Sequence, residues 1–212
     1  MKENIQVQKG HYFHDYDNLE RFISYYYQCR LVIELNIKTA LEIGVGNRLT
    51  SNYLKNQNIK VTTCDIDKNL KPDVVNDVRK LSFKNNNFDA VYAYQVLEHL
   101  PFEDFEKALE ELYRVSKRYV LISLPYNSTS FEAILKFPLL NKISNKNYIN
   151  FFLRFNYFFK KFKFNGQHYW ELGSKGCSLK IIRTKLNKKF KIIKEVRPVL
   201  NSYHYFFVLE KL

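Results

Sequence analysis

The sequence predicts an α/β fold, with a mostly parallel sheet and helices between its strands. Three observations predict it. Short runs of strand character recur at residues 39–43, 59–67, 88–94 and 118–124, and stretches of helical spacing separate them. The first run breaks into two glycines, Gly44 and Gly46, and a helix start follows. The second run ends in acid at Asp65 and Asp67, with Asp65 about twenty residues beyond the glycines. Strands that alternate with helices imply right-handed βαβ units and therefore parallel pairing. At 212 residues, one domain with a small appendage is expected, and residues 1–212 are read as that single domain.

Each element has its own local reason. Residues 1–17 are polar and aromatic and read as an extended arm. From Asn18, the apolar positions Leu19, Phe22, Ile23, Tyr26, Cys29 and Ile33 give one helical face, with Asn18 or Asp17 as cap and an end near Asn36. After the glycines, Thr50 to Lys55 continue as a short helix. Residues 56–58 break it, and the β-branched run at 59–67 is the second strand. Residues 73–83 are short and mixed. The strand at 88–94 leads through Gln95–Leu100 to Pro101, which suits the first turn of a helix. Phe105, Ala108, Leu109, Leu112 and Val115 then repeat at helical spacing. The strand at 118–124 is closed by Pro125. Near the C-terminus, a helix at residues 178–186 precedes two strand-like stretches, 190–197 and 202–210.

Between Tyr126 and Gly173 lies an aromatic and basic insertion. Residues 147–164 contain no acid. If helical, Asn150, Arg154, Tyr157 and Lys161 form a narrow polar strip on an apolar surface. Such a segment is expected to be a lid over an apolar substrate, an interfacial helix on an anionic bilayer, or a helix packed on the domain. Residues 166–173, Gly-Gln-His-Tyr-Trp-Glu-Leu-Gly, place the only tryptophan beside His168 and Glu171. That cluster reads as a substrate wall or as a turn anchored by tryptophan.

Charge and cysteines bound the function class. The formal net charge is +13, which suits phosphorylated substrates, an anionic membrane face or nucleic acid, or else follows from an AT-rich genome. The N-terminus lacks the apolar core of a signal peptide, and no apolar run is long enough to span a membrane. The three cysteines are far apart and make neither a disulfide framework nor a zinc pattern. The histidines show no metal-ligand spacing, so no metal is expected. A cytoplasmic enzyme is expected, with a possible peripheral station at the inner face of the membrane.

The glycine pair is not the dinucleotide fingerprint, because Leu49 stands at its third glycine position. Glu42, two residues before Gly44, suits a cationic amino-acid tail better than a pyrophosphate. Taken in order, E-I-G-V-G, V-T-T-C-D-I-D, N-D-V-R-K-L-S-F and F-D-A-V-Y-A-Y-Q-V-L-E-H-L resemble the class I S-adenosylmethionine (SAM) dependent methyltransferases, over roughly residues 38–125. The resemblance implies a Rossmann-like, mostly parallel seven-stranded sheet with helices on both faces and a C-terminal antiparallel strand. It implies S-adenosyl-L-methionine as cofactor and S-adenosyl-L-homocysteine as product.

It also implies residue roles. Glu42, Gly44 and Gly46 would line the methionine end, and Asp65 would bind the ribose diol with Ile66 on the adenine. Asp77 would meet the adenine amino group with Val78 beside it, and Tyr94 and Gln95 would flank the methionine. The family often carries a third glycine where this chain has Arg48, which makes the loop less compact. An N-terminal lid helix fits residues 18–36, with Tyr25, Tyr26 or Tyr27 available to cover the cofactor.

Methyl transfer to a hydroxyl needs alignment and a base. His99, after Glu98 at the carboxyl end of a strand, is one candidate, although Glu98 and His99 equally suit capping the next helix. His168 with Glu171 is the second. The pieces H-Y-W-E-L-G and S-Y-H-Y-F-F-V-L-E-K resemble small methyltransferases of bacterial surface-polysaccharide biosynthesis. The expected acceptor is a hydroxyl of a sugar, nucleotide sugar or lipid-linked glycan intermediate. RNA methylation and a non-catalytic SAM-binding scaffold are the alternatives. Nucleic acid fits less well, because no RNA-binding module is appended and the fourth strand does not end in an N-P-P-Y-type motif.

Overall fold

The computed structural model describes residues 6–7, 9–13, 16–137, 147–156 and 161–212. Its centre is a seven-stranded sheet in the order β3-β2-β1-β4-β5-β9-β8. The strands are β1 (Thr39–Ile43), β2 (Lys60–Asp65), β3 (Val74–Val75), β4 (Phe88–Tyr94), β5 (Ser116–Pro125), β8 (Phe190–Val196) and β9 (His204–Lys211). β1 pairs in parallel with both β2 and β4, and β4 with β5. β9 is antiparallel to both β5 and β8, so it alone runs against the rest. The chain goes one way from β1 to β2 and the other way to β4. The crevice at the carboxyl ends of β1 and β4 is therefore the switch point where α/β sheets bind ligands.

Two apolar layers hold the helices on the two faces. α1 (Leu19–Ile33) and α2 (Leu49–Asn56) bury Cys29, Leu31, Val32 and Leu54 against Ala40, Val61, Tyr92 and Phe206. α3 (Phe105–Val115) and α4 (Leu179–Leu186) bury Phe105, Leu109, Leu112, Ile182 and Leu186 against Val91, Ile122 and Phe207. Both faces of the central strands are thus covered, which explains their nearly continuous apolar runs.

α1 carries part of the cavity wall, and Asn18 starts it. The Asn18 side chain accepts from the Arg21 backbone N–H at 2.8 Å. Asn18→Ala is expected to cost about 1 kcal/mol of stability. Urea unfolding should show a lower midpoint at unchanged slope.

β9 is internal to the sheet, and His204 is buried beneath α1, with Nδ1 2.6 Å from Ser24 Oγ. Two expectations need correction. Residues 9–12 are a 3₁₀ turn rather than part of an extended arm. The larger correction concerns the insertion. Its described part is an antiparallel hairpin, β6 (Ser128–Lys136) with β7 (Tyr148–Asn156), and not a helix. Along β7, exposed Ile149, Phe151, Leu153 and Phe155 alternate with half-buried Asn150, Phe152, Arg154 and Asn156. That is the two-residue period of a pleated strand, in a run rich in aromatics. Of the expected polar strip, Asn150 and Arg154 do share a face, whereas Tyr157 lies outside the described residues.

Candidate active site

The glycine loop leaves β1 in a conformation that its residues enforce. Gly44 has φ +82°, and a Cβ there would meet Val96 Cγ2 at 2.5 Å. Gly46 has φ +51° with the Tyr12 ring above it. Arg48, where a third glycine is common in the resembling family, is itself left-handed at φ +67°. Its guanidinium donates to the carbonyls of Leu70 and Lys71, which ties the loop to the turn after β2. The lost glycine therefore leaves the loop closed, held by a side chain instead of by compactness.

A cavity of about 950 Å³ opens over this loop. Glu42, Gly44, Gly46, Asp65, Ile66, Asp77, Val78, Tyr94 and Gln95 all line it, as do His99 and His168. The fold thus gathers residues from the ends of β1, β2 and β4 and from the turn after β3, although they span more than fifty positions of chain.

The acids differ in what already occupies them. Asp65 accepts the Val45 and Asp67 backbone N–H groups, one on each oxygen, both at 2.8 Å. Burial holds its pKa above the usual aspartate value. Asp77 is ion-paired: both its oxygens receive the Arg79 guanidinium, which also reaches Asp104 at 2.7 Å. Glu42 is almost fully buried, and its Oε2 has no hydrogen-bond partner among the described residues. Burial pushes it up to about 8. A buried carboxyl with an orphaned oxygen is costly unless a ligand completes it.

The opposite wall is built from distant parts of the chain. Tyr25 of α1 lines the cavity, whereas Tyr26 points to solvent and Tyr27 packs near Phe206. Tyr12, Tyr16 and Arg21 also line it, with the Arg21 guanidinium 4.2 Å from the centre of the Tyr16 ring. No carboxylate lies within ion-pair distance of Arg21 among the described residues. Sequence reading missed Arg21 and Tyr203, because neither sits in a local motif.

The two candidate histidines come together, with ring centroids 4.9 Å apart. His168 Nδ1 lies 2.7 Å from Glu171 Oε1, which also accepts from the Tyr203 hydroxyl at 2.7 Å. A carboxylate only accepts, so Nδ1 carries the proton and Nε2 keeps its lone pair. Burial pulls the His168 pKa down, but the bond to Glu171 and the nearby Glu98 outweigh it and hold the ring above its ordinary value. His99 Nδ1 lies 2.9 Å from the Gln167 carbonyl, which fixes the same tautomer. Burial and the neighbouring His168 push His99 down to about 4.

Glu98 does not cap a helix. It is fully buried, its Oε2 has no hydrogen-bond partner among the described residues, and burial pushes it up to about 7. Glu98, His99 and His168 each offer a donor atom within 4.8 Å of the others, a grouping that sequence spacing did not reveal.

The tryptophan cluster divides. His168 faces the cavity with Glu171 behind it. Trp170 turns into the core between Phe102 and Phe105, and its indole N–H donates to the Leu100 carbonyl at 3.0 Å. Among the described residues, none of β6 or β7 lines the cavity.

Residues 41–122 match the family model described as a methyltransferase domain. A search of the curated proteins gives no match. Solved structures share the fold at low identity. The PH0226 protein of Pyrococcus horikoshii OT3 aligns with a TM-score of 0.62 at 16% identity, over 100% of both chains. Magnesium protoporphyrin IX methyltransferase of Synechocystis PCC 6803, with bound S-adenosylhomocysteine, gives 0.59 at 16%, over 91% of this chain and 83% of that one. The N-methyltransferase NodS of Bradyrhizobium japonicum WM9, in complex with S-adenosylhomocysteine, gives 0.60 at 11%, over 92% and 89%. The glycine loop and the acids Glu42, Asp65 and Asp77, which line one cavity, all lie within residues 41–122, the stretch that matches the methyltransferase domain.

Proposed function

We propose that the protein is an S-adenosylmethionine-dependent methyltransferase whose acceptor is a hydroxyl of a sugar, nucleotide sugar or lipid-linked glycan intermediate. The observation that carries this reading is His168 on the cavity wall, with Glu171 hydrogen-bonded behind it. When bound, the cofactor would supply an electrophilic methyl on a sulfonium, and an acceptor oxygen attacking that carbon in line would release the sulfur as the thioether of S-adenosylhomocysteine. A hydroxyl must lose its proton as it attacks, and an amine already carrying a lone pair needs no such help before the step. Here His168 Nε2 takes the proton. Glu171 holds the ring in the right tautomer and stabilises the imidazolium, the same logic as a hydrolase triad. His99 stays neutral and orients the acceptor through its own Nε2. Arg21 and the net charge of +13 suit a phosphate on that acceptor.

On the cofactor side, Asp65 would hold the ribose diol and Ile66 would pack on the adenine. Asp77, shared with Arg79, and Val78 would border the adenine. Tyr94 and Gln95 would flank the methionine end, where Glu42 would meet the ammonium group. Glu42 near 8 is mostly protonated in the free protein at pH 7, and an adjacent cation favours its ionised form. Binding at pH 7 therefore releases up to about one proton. Calorimetric titration in buffers of different ionisation heat checks this, and Glu42→Gln should abolish the buffer dependence.

A second reading has its own observation. Glu98, His99 and His168 resemble a two-histidine, one-carboxylate set whose ring N–H groups are held by Glu171 and Gln167, as metal-bound histidines usually are. A divalent cation there would lower the pKa of the acceptor hydroxyl in place of the base.

Transfer of a labelled methyl group into a cell extract, fractionated into glycan, lipid and RNA, tests the acceptor. Label in glycan or lipid-linked glycan supports the proposal, and label confined to RNA overturns it. Repeating the transfer after chelation separates the base from the cation.

A further inference from the structure

We propose that the outer face of the β6–β7 hairpin docks on an anionic lipid surface. The hairpin inverts the usual arrangement of a surface strand pair, which turns its polar side to water. Its outward positions are Phe131, Leu135, Ile149, Phe151, Leu153 and Phe155, and Phe151 and Phe155 are 65% and 64% exposed. Cross-strand register puts Phe131 opposite Leu153 and Leu135 opposite Ile149, so the apolar side chains form one continuous face. A patch of that kind on a folded chain marks an interaction surface.

The other face of the hairpin is already bonded to the body of the protein. Glu132 accepts from Arg197 at 2.8 Å and from Asn150 at 2.7 Å. Arg154 donates to the Ser202 carbonyl at 2.6 Å and covers the Tyr126 ring. These bonds fasten the inner face to the body and leave the outer one uncovered.

Charge selects the occupant. From Ala133 to Trp170 the sequence carries six lysines and Arg154, with no aspartate or glutamate. A second copy would bring two such stretches together, and like charges at an interface oppose association. An anionic bilayer instead attracts the lysines while its acyl region accepts the aromatic face. The contact is peripheral, since among the described residues no helix is long and apolar enough to cross a membrane.

Flotation of the full chain with vesicles tests this, using phosphatidylcholine alone and equal parts of phosphatidylcholine and phosphatidylglycerol. Binding is expected on the anionic vesicles and not on the neutral ones. The double variant Phe151→Ser, Phe155→Ser is expected to reduce the bound fraction by at least about tenfold. Unchanged SAM affinity by calorimetry shows that the variant is folded. Absence of binding to anionic vesicles, or equal binding by the variant, overturns the proposal. So does light scattering that finds a wild-type dimer turned monomeric by the two substitutions, because the face then belongs to a second copy. Vesicle binding does not depend on the acceptor, so either conclusion can fail without the other.

Discussion

His168→Gln is expected to lower kcat by about 10²- to 10⁴-fold with SAM affinity unchanged, because it removes the proton acceptor and no cofactor contact. The direction of the pH dependence follows from the environment of the ring. The reactive form is the neutral one. Its pKa is held above the ordinary value of about 6.5, so activity rises with pH through a limb lying above that value. Glu171→Gln removes the charge that supports the imidazolium, although its amide oxygen still accepts from Nδ1. The limb then moves to lower pH, and the plateau falls because the ring is a weaker base. A merely structural Glu171 would lower the plateau and leave the limb in place. The same profile separates the two histidines. A base with a pKa near 4, the value His99 takes, would put the limb near pH 4. Wild-type kcat in His168→Gln would remove His168 from the chemistry.

The sequence carries the sheet more clearly than the site walls, for a physical reason. Strands such as Thr39–Ile43 and Phe88–Tyr94 are buried on both faces, so their apolar character survives in the local sequence. Glu42 and Gly44 stand at the carboxyl end of β1 and Asp65 at that of β2, which is why they are readable from spacing, whereas Asp77 was reached only through the family resemblance. The hairpin was not readable because Asn150 and Arg154 are four residues apart. Four is close to one helical turn and is also two strand periods, so both conformations put them on one face. What decides is the partner strand, and a cross-strand register such as Phe131 against Leu153 leaves no trace in a single segment. Arg21, Tyr12 and Tyr203 reach the cavity from a helix, a 3₁₀ turn and the approach to β9. Only the folded topology brings them together. His168 and Trp170 were legible as a cluster but not as opposites, one facing the cavity and one the core.

Asp65→Ala is expected to weaken SAM binding by about 100-fold. The carboxylate has one lone pair on each oxygen committed to a backbone N–H, from Val45 and from Asp67. The remaining lone pairs are free for a diol. Two hydrogen bonds to a charged acceptor are worth about 1.5–3 kcal/mol each, and competition from water in the half-exposed variant site brings the loss towards the lower end. Asp65→Asn should be nearly as damaging as alanine. Its amide nitrogen must face one of the two backbone N–H donors, so one of them loses its acceptor whichever way the side chain turns. Burial raises the Asp65 pKa, and a diol is held best by the ionised form. Affinity should therefore fall as pH drops, starting above the ordinary aspartate value of about 3.9, and Asp65→Asn should lack that limb. Calorimetric titration with SAM and with S-adenosylhomocysteine reads both effects. Equal losses for the two ligands place the defect at the shared nucleoside. An unchanged affinity in Asp65→Ala would move the ribose site elsewhere in the cavity, and the roles given to Ile66 and Val78 would move with it.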